Sequence, residues 1–443
     1  MQTIKKTVAK FLGGVHPPHF KDTAEIKSTR MPAPPVVILP LQQHIGEPCR
    51  PLVKVGDHVT VGQPIGDTDA FVSAPIHASV SGKVKAIFPF VMAGGKIVDS
   101  IHIENDGQNT PWENIGPLKI DSREDFLYAV RRSGIVGIGG AGFPAHVKLT
   151  LRDLEESEID TLVVNGAECE PYVTTDYREM MENYHHILIG ISRIMKYVGI
   201  KNCLIGIEDN KPRAIGLIDR AIAERKMGSY VSVVKLPSCY PQGAEKMMIR
   251  ATTGRVVPLG GRPNHVGAVV MNISSVSILN YFMDTGIPLI RKRITVAGKA
   301  VKNPQNVFVP IGTSIREVVE FCGGYTQEPT KIIMGGPMMG AAQFDEAAPI
   351  IKQNNAILCL TEDETSMPED APCIRCGRCL HVCPMGLVPP LIETYARLKN
   401  AAMLKKLNVS GCMMCGSCAF VCPAKRSIVQ YMRQGMQVKE AGK

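Results

Sequence analysis

No stretch of this chain is both long and apolar enough to span a bilayer as a helix, which takes about 20 such residues. The nearest run, Val266 to Met283, is uncharged but contains Asn272, Asn280 and three serines, and reads as a buried strand running into a helix. Aromatic residues are scarce, at 5%, too few for the base-stacking platforms of single-strand binding. Blocks of five or more lysines and arginines are also missing. The formal charge of +9 therefore points to acidic partners or anionic lipid, and no nucleic-acid partner is expected. The opening MQTIKKTVAKF has lysines but neither the apolar core nor the cleavage site of a secretory signal. These absences give the expectation of an intracellular chain whose membrane attachment, if any, runs through a partner.

Cysteine is plentiful, with 14 copies, but not in the even scatter of a disulfide scaffold. Six of them (Cys49, Cys169, Cys203, Cys239, Cys322, Cys359) lie apart, most in or beside apolar stretches, and read as reduced, mostly buried thiols. The other eight form two copies of C-x2-C-x2-C-x3-C-P: CIRCGRCLHVCP from Cys373 and CMMCGSCAFVCP from Cys412. Two-residue spacers let three thiolates of one tight loop converge on a cubane, while the fourth begins the next segment and serves the other cluster. The expected ligand sets are crossed: Cys373, Cys376, Cys379 and Cys422 for one [4Fe-4S] cluster, and Cys412, Cys415, Cys418 and Cys383 for the other. Gly377 and Gly416 keep the loops tight. Structural zinc would instead use two C-x2-C pairs set well apart. The segment between the copies, LVPPLIETYARLKNAAMLKKLNV, reads as helical. This end of the chain carries electrons one at a time.

A glycine-rich stretch, GIVGIGGAGFPAHVKL from Gly134, contains G-x-G-x-x-G at Gly137, Gly139 and Gly142. A dinucleotide-fold fingerprint needs a strand before it. What precedes it is SREDFLYAVRRSG, with apolar residues at helical spacing, so that reading fails its context. Glycine-rich backbone still suits close approach to something flat or phosphorylated. Further on, DTLVVNGAECEPY reads as a buried strand ending in Asn165, Glu168 and Glu170. CYPQGAEKMMIRATTG is a turn opening into a helix, and GRPNHVGAVVMNISSV is a strand with a polar tip at Asn272. Between them alternate a helix near Tyr177–Val198, a strand NCLIGIE, a helix PRAIGLIDRAIAER and a strand YVSVVKL. That is an α/β domain with parallel strands, whose ligands gather at the strands' carboxyl ends.

These stretches resemble the flavin- and NADH-binding subunit of respiratory complex I, with GIGGAGFP, NGAECEP and YPQGAE as counterparts of its motifs. The resemblance implies FMN and NAD(H) as ligands. By it, Gly137, Gly139, Gly140, Gly142 and Lys148 cradle the flavin, and Phe143 stacks on the dinucleotide. Asn165 and Glu168 meet the flavin side, Glu170 positions the nicotinamide, and Gly243, Glu245 and Asn272 complete the pocket. Lys148 and Glu170 carry the catalytic roles, Lys148 by neutralising negative charge on the flavin. Ile138, Ala167 and Ala244 depart from the family's polar residues.

With the two-cluster unit and the opening GGVHPPHFK, the whole chain resembles the RnfC family, NADH-handling subunits of ion-pumping ferredoxin:NAD oxidoreductases. This implies an oxidoreductase subunit exchanging electrons between NAD(H) and partner redox subunits through FMN and two [4Fe-4S] clusters. Its partners would be membrane-embedded and iron–sulfur subunits, and ferredoxin indirectly, with the chain peripheral on the cytoplasmic face of the membrane. A microcompartment or soluble NADH-dependent corrinoid reductase, a soluble hydrogenase or formate dehydrogenase subunit, and a flavin-free electron-wiring subunit stay open.

The expected fold is mixed α/β and α+β in four parts. Residues 1–120 hold a lipoyl-like β sandwich, 121–290 the FMN/NADH-binding α/β domain, 291–362 a small β-grasp domain, and 363–443 a two-[4Fe-4S] ferredoxin-like helical domain. No lysine lies between Lys54 and Lys83, so the first module is no swinging arm. His16 and His19, flanking two prolines, mark a rigid exposed turn, and His185 and His186 read as structural or solvated.

Overall fold

A computed structural model of the 443-residue chain describes residues 13–150, 159–365, 369 and 371–441. The opening MQTIKKTVAKF thus lies outside the described residues. Two antiparallel sheets come first. One runs in the order Val36–Pro40, Ile97–Asn105, Gly82–Val91, His58–Val59; the other holds Arg50–Pro51, Pro64–Asp67 and Ile76–His77. Their inward side chains share one core, in which Val37, Leu39, Val59, Ile65, Ile101 and Ile103 have no exposed surface. Val37 and Leu39 are two apart because alternate residues of a strand face the same way. This is the β sandwich expected of the first module.

The central domain is a four-stranded parallel sheet in the order Val231–Leu236, Asn202–Glu208, Thr161–Asn165, Ala268–Asn272. Its strands are continuous apolar runs because helices cover both faces. Leu162 and Val164 join the core under the helices Thr175–Val198 and Ile273–Thr285. Val163 points the other way, onto Met248 and Ile249 of the helix Glu245–Thr253. The helix Arg123–Arg132 begins with a Ser122–Asp125 capping box and does precede the glycine loop.

A mixed six-stranded sheet follows, in the order Thr29–Arg30, Gln305–Pro310, Arg291–Ala297, Ala356–Leu360, Lys331–Met334, Ala341–Gln343. Its edge strand Thr29–Arg30 comes from the start of the chain. Its helix Ile315–Phe321 opens with a Ser314–Glu317 capping box.

The C-terminal part is helical. The segment between the cysteine loops, read as helical, is two helices, Pro389–Arg397 and Ala401–Lys406. The break has a local cause: Lys399 adopts a positive φ of 50°, and the Asn400 side chain caps the second helix at Met403 N. The two cysteine loops repeat the same backbone. Arg375 and Met414 have φ of 54° and 60°, and Gly377 and Gly416 of 75° and 81°, each glycine opening a one-turn helix. Among the described residues no helix is long and apolar enough to cross a membrane.

Candidate functional site

The parallel sheet reverses its order between Thr161–Asn165 and Ala268–Asn272, the place where open α/β sheets bind ligands. Asn165 and Asn272 are register partners there. The glycine loop lies at the same end. Gly139, Gly140 and Ala141 are exposed, and nothing lies within 4 Å of where a Gly140 Cβ would sit. The loop is pinned from outside the domain. Gly139 N–H donates to the Gln353 carbonyl at 3.0 Å, and Ile45 N–H donates to the Gly142 carbonyl at 3.1 Å. Gly142 has φ of 72°, and a Cβ there would lie 2.5 Å from Gln353 Nε2. Half-buried Phe143 is held by its own carbonyl, which accepts from Gly137 N–H at 2.9 Å. Ile138 is buried and packs instead of reaching outward.

Lys148 stands on the short helix that follows. Its Nζ lies 2.6 Å from Glu245 Oε1 and donates to the Val270 carbonyl at 3.1 Å. Both side chains of the pair are part-exposed, 25% and 39%, so a charged ligand can reach them.

The remaining predicted polar residues have protein partners. Asn165 Nδ2 donates to the Gly243 carbonyl at 2.8 Å, and its Oδ1 accepts from Ala167 N–H. Glu168 turns its carboxylate onto Asp176 N–H at 2.6 Å and Tyr177 N–H at 3.1 Å, at the start of the helix Thr175–Val198, where negative charge is favoured. Asn272 caps its own helix at Ser275 N–H and donates to Asp176 Oδ2 at 2.8 Å. Burial pushes the Asp176 carboxyl up to about 7. These side chains are thus taken up by partners within the protein. Glu170 faces away from the sheet: its Oε2 accepts from Met338 N–H at 3.0 Å, in the turn between Lys331–Met334 and Ala341–Gln343. Its Oε1 is buried without a partner, and burial pushes this carboxyl up to about 7.

Sequence reasoning missed what holds the loop from Gly166 to Val173. The ammonium of Lys21 donates to the carbonyls of Glu168, Glu170 and Val173 at 3.0, 2.7 and 2.5 Å. Buried Lys211 donates to the Ala167 carbonyl at 2.6 Å and pairs with Glu208 at 3.2 Å. Burial lowers the Lys21 ammonium to about 8, and three carbonyl acceptors are what a protonated amine requires. Lys21 ends GGVHPPHFK, so that motif had the signal, though not the partner. The same segment ties two domains together. Gly14 N–H donates to Val382 O at 2.9 Å, and Val15 and Tyr240 exchange both backbone bonds at 2.8 Å. His16 and His19 are exposed.

The cysteine loops meet that segment. The Tyr240 hydroxyl donates to the Cys415 carbonyl at 2.7 Å, and Val15, Tyr240, Cys415, Cys169 and Met338 pack as one apolar cluster. Cys379 has Cys422, Cys373 and Cys376 as its electrostatic neighbours, and Cys418 has Cys415, Cys412 and Cys383. Burial and these neighbours push Cys412 up to about 11 and Cys418 up to about 12, so binding iron must release their protons. Among the described residues no three His, Cys, Asp or Glu side chains close around a single-ion position. Cys415 and Cys418 are buried, whereas Cys373 and Cys376 are exposed. The donor sets suit clusters, and the open Gly140 crest and the part-exposed Lys148 cation suit a flat, anionic ligand. Of the six scattered cysteines, five are buried and Cys169 is half-buried.

Residues 130–280 match the Nuo51 FMN-binding domain family and 9–108 the RnfC barrel sandwich hybrid domain. Residues 293–342 match the SLBB domain and 367–423 a 4Fe-4S dicluster domain. The chain is 46% identical to the C subunit of the proton-translocating ferredoxin:NAD(+) oxidoreductase complex of Clostridium ljungdahlii, over 96% of this chain and 92% of that one. It is 44% identical to the Na(+)-translocating counterpart of Acetobacterium woodii, over 96% and 95%. With the C subunit of the ion-translocating oxidoreductase complex of Rhodobacter capsulatus it shares 40% over 87% and 74%. Among solved structures it aligns with an NAD+-reducing [NiFe]-hydrogenase chain at a TM-score of 0.49 and 18% identity, over 72% of this chain and 63% of that one.

Proposed function

The chain belongs to the RnfC family of subunits of ion-translocating ferredoxin:NAD(+) oxidoreductase complexes, and from that membership we propose how its residues serve the reaction. It is an electron-transfer subunit of such an oxidoreductase, working between NAD(H) and the other subunits of its complex with FMN and [4Fe-4S] clusters. FMN, when bound, converts between electron pairs and single electrons, and the clusters handle electrons singly.

The glycine loop from Gly137 to Gly142 offers backbone to the flavin, and Lys148 offers positive charge beside it, held in place by Glu245 and the Val270 carbonyl. Phe143 gives the dinucleotide an apolar face. Glu170 holds the Met338 turn against the pocket and keeps a spare acceptor for the nicotinamide side. Asn165, Glu168, Asn272 and Gly243 fix the pocket floor. The two crossed sets, Cys373, Cys376, Cys379 with Cys422 and Cys412, Cys415, Cys418 with Cys383, hold the clusters. The work divides at about residues 120, 290 and 362, and the chain sits peripherally on the cytoplasmic face of the membrane, held by its partner subunits.

The observation that carries this reading is the Tyr240–Cys415 bond, which joins a cluster loop to the turn leading into Gly243 and Glu245. The test is iron, sulfide and acid-released flavin per chain on anaerobically purified protein, then bleaching by NADH. About eight irons, one FMN and bleaching are expected. Eight irons without flavin, unresponsive to NADH even after FMN is added, would leave an electron wire with a relic pocket.

A further inference from the structure

Charge is unevenly spread along the chain. From Ala371 to Lys443 there are eleven lysines and arginines against two acids, Glu393 and Glu440, so this stretch carries the whole formal +9 and the preceding residues are neutral overall. Glu393 is already occupied by Arg397 and Arg426. The connector Glu362–Asp370 is acidic, but Asp363 pairs with Lys299 and Glu364 accepts from the Tyr172 hydroxyl, both toward the other domains. Two clusters with their thiolates are anionic and offset only part of the excess.

Three of these eleven cations, Arg375, Arg378 and Lys425, lie on or next to the first cysteine loop. Arg375, Arg378, His381 and Lys425 are exposed. Arg378, His381 and Lys425 line one open recess with Phe420 and Pro423, and Cys422 lies in its wall. Arg375 stands between Cys373 and Cys376, both exposed, beside Ile374, which is 66% exposed. Exposed apolar side chains, Ile374 and Phe420, thus share the patch with cations. That is the make-up of a small encounter surface, where charge steers approach and apolar contact stays limited. The other cysteine loop has no comparable opening, since Cys415 and Cys418 are buried and Cys415 lies against Tyr240.

Resting on the proposed function, we propose that the Cys373–Arg378 loop and the adjoining Arg378–His381–Phe420–Lys425 recess are the docking face for an acidic iron–sulfur carrier protein. Each encounter passes one electron and makes or breaks no bond: the carrier loses an electron and this chain gains it, or the reverse. An anionic lipid surface would meet the same charge, but the exposed cluster-ligand cysteines Cys373 and Cys376 beside these cations favour a redox protein.

The test uses the full chain loaded with iron, sulfide and FMN, and as probe a purified acidic two-[4Fe-4S] ferredoxin. The dissociation constant is read at about 50 and about 300 mM salt and should weaken about tenfold or more between them. Arg375→Glu/Arg378→Glu/Lys425→Glu should weaken binding about tenfold or more at low salt. The control Lys83→Glu/Lys201→Glu/Lys235→Glu makes the same change in net charge at exposed positions of other domains and should change it less than about twofold. Iron content and bleaching by NADH should be unchanged in both. Equal loss in both triple variants would overturn the proposal in favour of unspecific charge attraction. So would wild-type affinity in the docking-face variant. Binding to phosphatidylglycerol vesicles but not to the ferredoxin, lost in the docking-face variant, would overturn it in favour of a lipid surface. A chain with no iron, or none that responds to NADH, would instead overturn the functional reading and this proposal with it.

Discussion

Lys148 is a part-exposed cation that sequence and geometry both single out, and Glu245 holds it in place at 2.6 Å. Lys148→Met removes the charge and keeps the length, so FMN should bind about tenfold or more weakly, read as acid-released flavin per chain after dialysis. Gly142 tests the loop. Alanine there must take a φ of 72° and push Gln353 aside, which should cost about 1–2 kcal/mol and lower both the melting temperature and retained flavin. Glu170 tests the electrostatics. Its carboxyl rises from the ordinary 4.5 to about 7 because it is buried. The folded chain therefore holds that proton more tightly than the unfolded one. The stability this brings is full below about pH 4.5 and lost as pH rises through about 7. Glu170→Gln still accepts from Met338 N–H but cannot ionise. The drop in melting temperature from pH 5.5 to 8 should shrink in the variant, without vanishing, because Asp176 remains.

Among the elements, the segment Gly13–Lys21 has no regular structure of its own beyond the single bridge of Val15 with Tyr240, yet it connects the loop Gly166–Val173 to the C-terminal helical part. Lys21 replaces three lost backbone partners of the loop Gly166–Val173 with one ammonium. Lys21→Met would leave three carbonyls facing an apolar side chain. The melting temperature should fall by several degrees, for a loss of about 2 kcal/mol or more. The apparent KM for NADH should rise more than kcat falls, a split that a general loss of folding would not give. The helices were legible because their apolar spacing and caps lie close in sequence, as at Ser122–Asp125 and Ser314–Glu317. The break at Lys399–Asn400 was hidden because the apolar pattern continues across it, and one capping side chain decides the matter.

For the whole molecule, the proposed crossing of the cysteine sets makes a prediction that parallel sets would not. Cys383→Ser should disturb the cluster of Cys412, Cys415 and Cys418, leaving that of Cys373, Cys376 and Cys379 intact. Iron should fall from about eight to about four per chain, and the electron paramagnetic resonance signal that survives should match that of Cys418→Ser, not that of Cys376→Ser. A surviving signal like that of Cys376→Ser would mean each loop keeps its own fourth cysteine.

The chain alone determined whatever is set by neighbours in sequence: the cysteine spacing, the glycine loop, the apolar strands Thr161–Asn165 and Asn202–Glu208, and hence the cofactor classes. It also held the sandwich and the parallel sheet, because alternation and continuous apolar runs report how many faces of a strand are buried. Only the tertiary structure decided which polar groups are left for a ligand. Asn165 and Glu168 are spent on backbone N–H and C=O groups and Asn272 on Ser275 N–H and the Asp176 carboxylate, while Lys148 and the Gly140 crest stay accessible. It also brought Lys21 to the carbonyls of Glu168 and Glu170, Gln353 to Gly139, and Tyr240 to Cys415. The physical reason is that buried hydrogen-bonding groups must find partners wherever the fold brings them, and these partners lie more than a hundred residues apart.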